Sequence, residues 1–230
     1  MKKMVVSIIF TVALFCLGGS MSHAAGGGAK NPVNPGVDEV IKEITASLQS
    51  VKTLKAEFTQ ERHLAIFLDV LSSRGIFYFE MPGKLRWEIT EPFSSILIFN
   101  GGYVAKFNRE NGAYVRMKLG MEDVLQEVLN QILAIMHGDF EKVHKVYGIT
   151  VIPGNDRRLV LKPLSAGLAK VIKDMELSID RNTNHVTKIV IHEPHDDYIE
   201  IRFLAEEQNG TLDRGIFDLA HPLLPAVTGK

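Results

Sequence analysis

From Leu54 onward the chain adopts a period of two: Leu54, Ala56 and Phe58 alternate with Lys55, Glu57 and Thr59. Such alternation sends successive side chains to opposite faces and describes a half-buried strand. The same pattern returns at Gly75–Glu80, Lys84–Thr90, Ser95–Phe99, Tyr103–Asn108 and Ala113–Leu119. Pro82-Gly83, Asn100-Gly101-Gly102 and Asn111-Gly112 stand between these runs as turn-formers. Further strands are expected at Glu141–Tyr147, Arg158–Lys162, Val171–Asp180, Val186–His192 and Tyr198–Leu204. Connections this short join antiparallel neighbours, because parallel pairs need long crossovers.

Two segments depart from this period. Val37, Val40, Ile41, Ile44, Leu48 and Val51 recur at helical spacing, with Asp38 and Glu39 placed to suit the positive end of a helix dipole. Met121, Val124, Leu125, Val128, Leu129, Ile132, Leu133 and Met136 follow spacings of three and four. Their opposite face carries Glu122, Asp123 and Glu127 but no lysine or arginine, so this amphipathic helix lacks the basic face of a membrane-surface element.

A sheet of ten or eleven strands must curl, and so few helices can cover only one of its faces. The expected fold is therefore mainly β (α+β): an open, incomplete antiparallel β-barrel with helices covering its concave apolar face. Periodicity leaves two choices open. The concave face could hold a filled core or a cavity, and the helix from Met121 to Met136 could be core or lid.

The N-terminus has its own logic. Lys2 and Lys3 precede an apolar run from Met4 to Leu17, followed by small residues through Ser22 and Ala24. This is the layout of a secretory signal peptide, expected to span residues 1–24 and to be cut before Ala25. Fourteen apolar residues fall short of the about twenty a spanning helix needs. The single cysteine, Cys16, follows Phe15, where a lipoprotein box would require a small residue. Residues 25–36, rich in Gly and Pro, read as a flexible leader, and 37–230 as one domain.

After removal of the signal, 206 residues remain, with 24 basic and 27 acidic side chains and no cysteine. An exported chain without disulfides must be stabilised by a core, which this length can supply. Its slight negative charge gives no basic field for nucleic acid or anionic headgroups.

Catalytic signals are sparse. No nucleophile elbow, Walker loop or dinucleotide fingerprint occurs in the sequence. "HEPHDD", His192 to Asp197, offers metal-binding atoms in a turn context, one residue short of H-E-x-x-H; the bland alternative is a solvated hairpin tip. His137, His144 and His185 are scattered, and "NGT" at Asn209 is a glycosylation sequon or a polar turn.

The stretch "GIFYFEMPGKLRWEITEPFSSILIFNGGYVAKFN" resembles the bacterial outer-membrane lipoprotein carrier family (LolA). Phe77, Pro82, Gly83, Lys84, Arg86, Trp87, Pro92, Asn100 and Gly101 carry the resemblance, and "VKTLKAEFTQER" adds Leu54, Phe58 and Gln60. The resemblance implies a periplasmic open barrel whose helical lid covers an apolar cavity. That cavity would shield lipoprotein acyl chains between an inner-membrane release complex and an outer-membrane acceptor, as a monomer, with no cofactor and no covalent chemistry.

The cargo-binding residues it implies are Phe77, Phe79, Met81, Leu85, Trp87 and Ile89 on one sheet face, with Leu125, Leu129 and Leu133 from the covering helix. Each of these could instead be plain core. Met81 stands where the family has an arginine that ties down the lid, which points to altered gating or different cargo. Two further readings stay open: an envelope sensor with the same fold, and a metal-dependent enzyme at His192, Glu193 and His195.

Overall fold

The computed structural model describes residues 35–66, 69–119, 122–152 and 157–222. The expected signal peptide and most of the leader lie outside these residues. Helix α1 (Pro35–Gln49) begins two residues inside the expected leader, with proline in its first turn, where a missing N–H costs no helical hydrogen bond.

Six strands follow: β1 (Thr53–His63), β2 (Leu71–Glu80), β3 (Lys84–Glu91), β4 (Ser95–Asn100), β5 (Tyr103–Glu110) and β6 (Ala113–Arg116). Then come helices α2 (Glu122–Met136) and α3 (Phe140–Val146). The chain returns to strands with β7 (Tyr147–Ile152), β8 (Arg157–Pro163), β9 (Asp174–Ile179), β10 (Val186–His192) and β11 (Tyr198–Gln208).

All eleven strands form one antiparallel sheet in the order β6-β5-β4-β3-β2-β1-β11-β10-β9-β8-β7. The sheet is not closed, since β6 and β7 are its two edges. Two meanders meet at its centre, where the long strands β1 and β11 pair from Leu54 opposite Gln208 to His63 opposite Tyr198.

Three expectations need correction. Glu141–Tyr147 is not a strand: Gly138, at φ +67°, ends α2, and Asp139 accepts a hydrogen bond from the Lys142 N–H to cap α3. The Asp139 N–H donates to Ala134 O and the Gly138 N–H to Ile135 O, a pairing that stops one helix and turns the chain into the next. The strand expected from Val171 starts only at Asp174, after a 3-10 turn at Leu168–Lys170, and the one expected to reach Leu119 stops at Arg116.

Register settles which residues share a face. Phe77 lies opposite Trp87, Phe79 opposite Leu85 and Gly75 opposite Ile89, so the β2–β3 turn preserves parity. This face joins Phe58, Leu97 and Phe99 in a core closed by Ile44 and Leu48 of α1 and by Leu125, Leu129 and Ile135 of α2. Gly75 is required here, because a Cβ on it would sit 1.9 Å from Glu88 O and 2.8 Å from the Phe58 ring.

The outer face of β2–β5 is buried too. Tyr78, Ile96, Ile98, Ala105 and Phe107 pack under Ile216 and Phe217 of the segment after β11. Arg86, fully buried on this side, donates to Glu88 at 2.7 and 3.0 Å and to Ile216 O at 3.1 Å. The arginine of the "LRW" stretch thus anchors the C-terminal strap, while its neighbour Trp87 faces the core.

Candidate functional site

The concave face is not filled completely. Beneath α2 lies a cavity of about 180 Å³, walled by Phe77, Leu85, Trp87 and Leu97 on one side and by Ile189, Ile191, Ile199, Ile201 and Phe203 on the other. Leu125, Val128, Leu129 and Ile132 of α2 form the roof. The two walls come from the two meanders, brought together by the β1–β11 pairing.

Its floor is aromatic. The Trp87 ring lies 4.4 Å from Phe58, 5.5 Å from Phe77 and 6.4 Å from Phe203, centroid to centroid. Among the described lining residues none is an acid, lysine or arginine; polar atoms come only from Gln60, Gln131, Trp87 and Tyr147. Such a lining can receive hydrocarbon but offers neither a nucleophile nor an acid-base pair.

Phe77, Leu85, Trp87, Leu125 and Leu129 line this cavity. Phe79 and Ile89 are buried in the surrounding core, and Met81 packs against it half-buried. Leu133 faces a second cleft of about 650 Å³, between the Pro82-Gly83 turn, the Asn100–Gly102 turn and helices α2 and α3. Gln131 and Val146 border both spaces, so the polar cleft adjoins the apolar cavity. In it Lys142 pairs with Asp139 at 2.6 Å, and that hydrogen bond holds the Asp139 carboxyl below its ordinary range.

Sequence reasoning missed the continuation of β1. Gln60 and Arg62 keep the phase of Phe58 and are 3 % and 4 % exposed, but their polarity ended the apolar pattern at Thr59. Arg62 donates to Glu193 at 2.9 Å. Burial pushes the Glu193 carboxyl up, opposed by the Arg62 charge beside it.

That pairing dismantles the "HEPHDD" arrangement. Glu193 serves Arg62, Asp197 accepts from the Ala65 N–H at 2.7 Å, and His195 and Asp196 are exposed. Among the described residues, the group that does converge is Asp174, Glu176 and His192, with His192 Nδ1 2.6 Å from Asp174. These side chains alternate with Met175 and Ile191 and so lie on the sheet's outer face, away from the cavity.

Comparison with known proteins adds three findings. Residues 49–220 match the family described as "Outer membrane lipoprotein carrier protein LolA". A curated outer-membrane lipoprotein carrier protein of Methylococcus capsulatus is 40% identical over 57 residues, a match spanning 25% of this chain and 27% of that protein. Similar solved structures include a DUF1329 family protein from Desulfovibrio piger, with a TM-score of 0.46 and 10% identity over 82% of this chain and 98% of that one. The Mycobacterium tuberculosis lipoprotein LppX gives 0.46 and 10% over 79% and 99%.

Proposed function

The chain belongs to the LolA family of outer membrane lipoprotein carriers, and from that premise we propose that it shields the acyl chains of lipoproteins, or of a related lipid, in the cavity beneath α2. The observation that carries this reading is the charge-free apolar space roofed by an amphipathic helix. Burial of each methylene contributes about 0.8 kcal/mol, so a sixteen-carbon chain exposed to water carries a cost on the order of 12 kcal/mol. A carrier removes that cost without bond chemistry, and delivery needs only an acceptor that binds the chain better.

The periplasm is where such a carrier works, after export and cleavage before Ala25. Its direction of travel is from an inner-membrane release complex to an outer-membrane acceptor. At about 180 Å³ the cavity is smaller than the roughly 300–1,000 Å³ pockets that engulf drug-sized ligands, so α2 moves outward to admit cargo. Met81, packed against the core in place of the family's arginine, leaves that motion without a polar latch at this position.

Native mass spectrometry of the mature protein purified from its own cells, with lipid extraction, tests the reading. An acylated molecule should copurify, or load from detergent-solubilised lipoprotein. Failure of both would sink it.

A further inference from the structure

Four large apolar side chains stand in water at one end of the sheet. Ile66, in the β1–β2 connection, is 84 % exposed, and Phe93, just past the end of β3, is 67 % exposed; Val70 and Leu71 are exposed as well. Register brings them together. Arg74 of β2 lies opposite Glu91 of β3 and pairs with it at 3.3 Å, so the chain running back to Leu71 and the chain running on to Phe93 leave the sheet side by side. The β1–β2 ladder continues to Arg62 opposite Leu71, three residues beyond the last β2–β3 pair. At about 3.3 Å per residue the hairpin projects roughly 10 Å past its neighbour.

This exposure is built in. The Ala65 N–H donates to Asp197 Oδ1 at 2.7 Å, His63 stacks on Tyr198 at 4.1 Å, and beyond Phe93 the Arg109 N–H donates to Ser94 O at 3.0 Å. Backbone beside both tips is thus tied down while the apolar side chains are left outside. A cluster of this kind on a protein surface marks a contact site.

Its form and charge choose the partner. The four side chains expose on the order of 400 Å², about half of the roughly 800 Å² that each partner gives to a stable protein interface. They make a projecting edge from two separate loops, not a groove or a flat face, and a fluid apolar phase receives such a shape without matching it. Asp69 is the one charged residue from Leu64 to Leu71, and Arg74 is neutralised by Glu91, so anionic headgroups are not the attraction. The projection matches the depth of about 5–10 Å that interfacial apolar elements reach in a bilayer.

We propose that this end of the molecule docks on a lipid bilayer by inserting Ile66, Val70, Leu71 and Phe93 into its interface. The inference goes beyond the carrier reading and stands without it, since these side chains lie outside the cavity lining. Gln60 and Ile199, which do line the cavity, are three and one residues from His63 and Tyr198 at the base of the projection. A seated tip therefore holds the cavity against the membrane.

The test is cosedimentation of the mature protein with vesicles of phosphatidylcholine alone, at low and at high salt. Binding should change less than about twofold with salt, because no charge pair drives it. Ile66→Ser and Phe93→Ser should each weaken it about tenfold, the effect of losing one buried large apolar side chain. Tyr103→Ser, exposed at the opposite end of β4 and β5, should leave it unchanged. The mature chain has no cysteine, so a fluorophore on Phe93→Cys reports depth: brominated acyl chains should quench it, and should not quench the same label on Tyr103→Cys. Undiminished binding by the Ile66→Ser, Phe93→Ser double variant, or an unquenched label at position 93, overturns the inference. So does absence of vesicle binding, which would leave the projecting edge to a protein acceptor. The carrier reading fails by a different result, a protein that neither copurifies with nor loads acylated cargo.

Discussion

Gly75 has no room for a methyl group, and the reason is functional geometry as much as packing. Phe58 occupies the space a side chain would fill and carries the Trp87 ring at the cavity floor. Gly75→Ala should therefore lower stability by about 3 kcal/mol in urea denaturation, through overpacking against backbone that cannot retreat. Lys106 tests a different force. It is 6 % exposed, and burial pushes its amine from 10.5 down to about 8. Between those values the unfolded chain binds more protons than the folded one, so stability rises with pH across that window. Lys106→Met should flatten the rise across that window, because it removes the group whose proton uptake differs between the two states. Unfolding midpoints measured from pH 6 to 10.5 would show both effects.

At the scale of elements, the two faces of the sheet do separate work. Helices α1 and α2 cover the concave face and leave a cavity, whereas the strap through Ile216 and Phe217 closes the outer face tightly. Phe217→Ala should cost about 3 kcal/mol of stability, as large-to-small changes in a core do, yet leave acyl-chain affinity unchanged because it lies across the sheet from the cavity. Loss of affinity at temperatures where the variant is folded would show that the two faces are coupled. The apolar run Ile96–Phe99 held the sign of this second layer, since a strand with only one buried face would alternate. Helix α3 was hidden for a different reason. Its seven residues carry too little periodicity, and its start depends on the Asp139 cap, which itself depends on where Gly138 ends α2.

The molecule as a whole is two meanders joined by β1 and β11, with the cavity at the join. A ligand held in that cavity would bind only the folded state, and so would raise apparent stability by about 2.7 kcal/mol at a hundredfold excess over Kd. Leu129→Asp, which puts a carboxylate into the roof beneath α2, should abolish the gain. Thermal unfolding with and without palmitoyl glycerol would check it, and an undiminished shift in the variant would place the ligand elsewhere.

Most of the strands, their turns, the parity of Phe77, Trp87 and Ile89, and the amphipathic α2 were legible in the chain, because each depends on neighbours a few residues away; β7 was not, hidden behind the helix α3 that replaces the strand expected at Glu141–Tyr147. Tertiary structure alone decided the pairing of β1 with β11, some 145 positions apart, and with it the second wall of the cavity from Ile189 to Phe203. It alone also decided that Gln60 is a buried donor and that Arg62 is matched by Glu193. Pairing between distant strands is chosen by the fit of whole faces. No local pattern of residues carries that information.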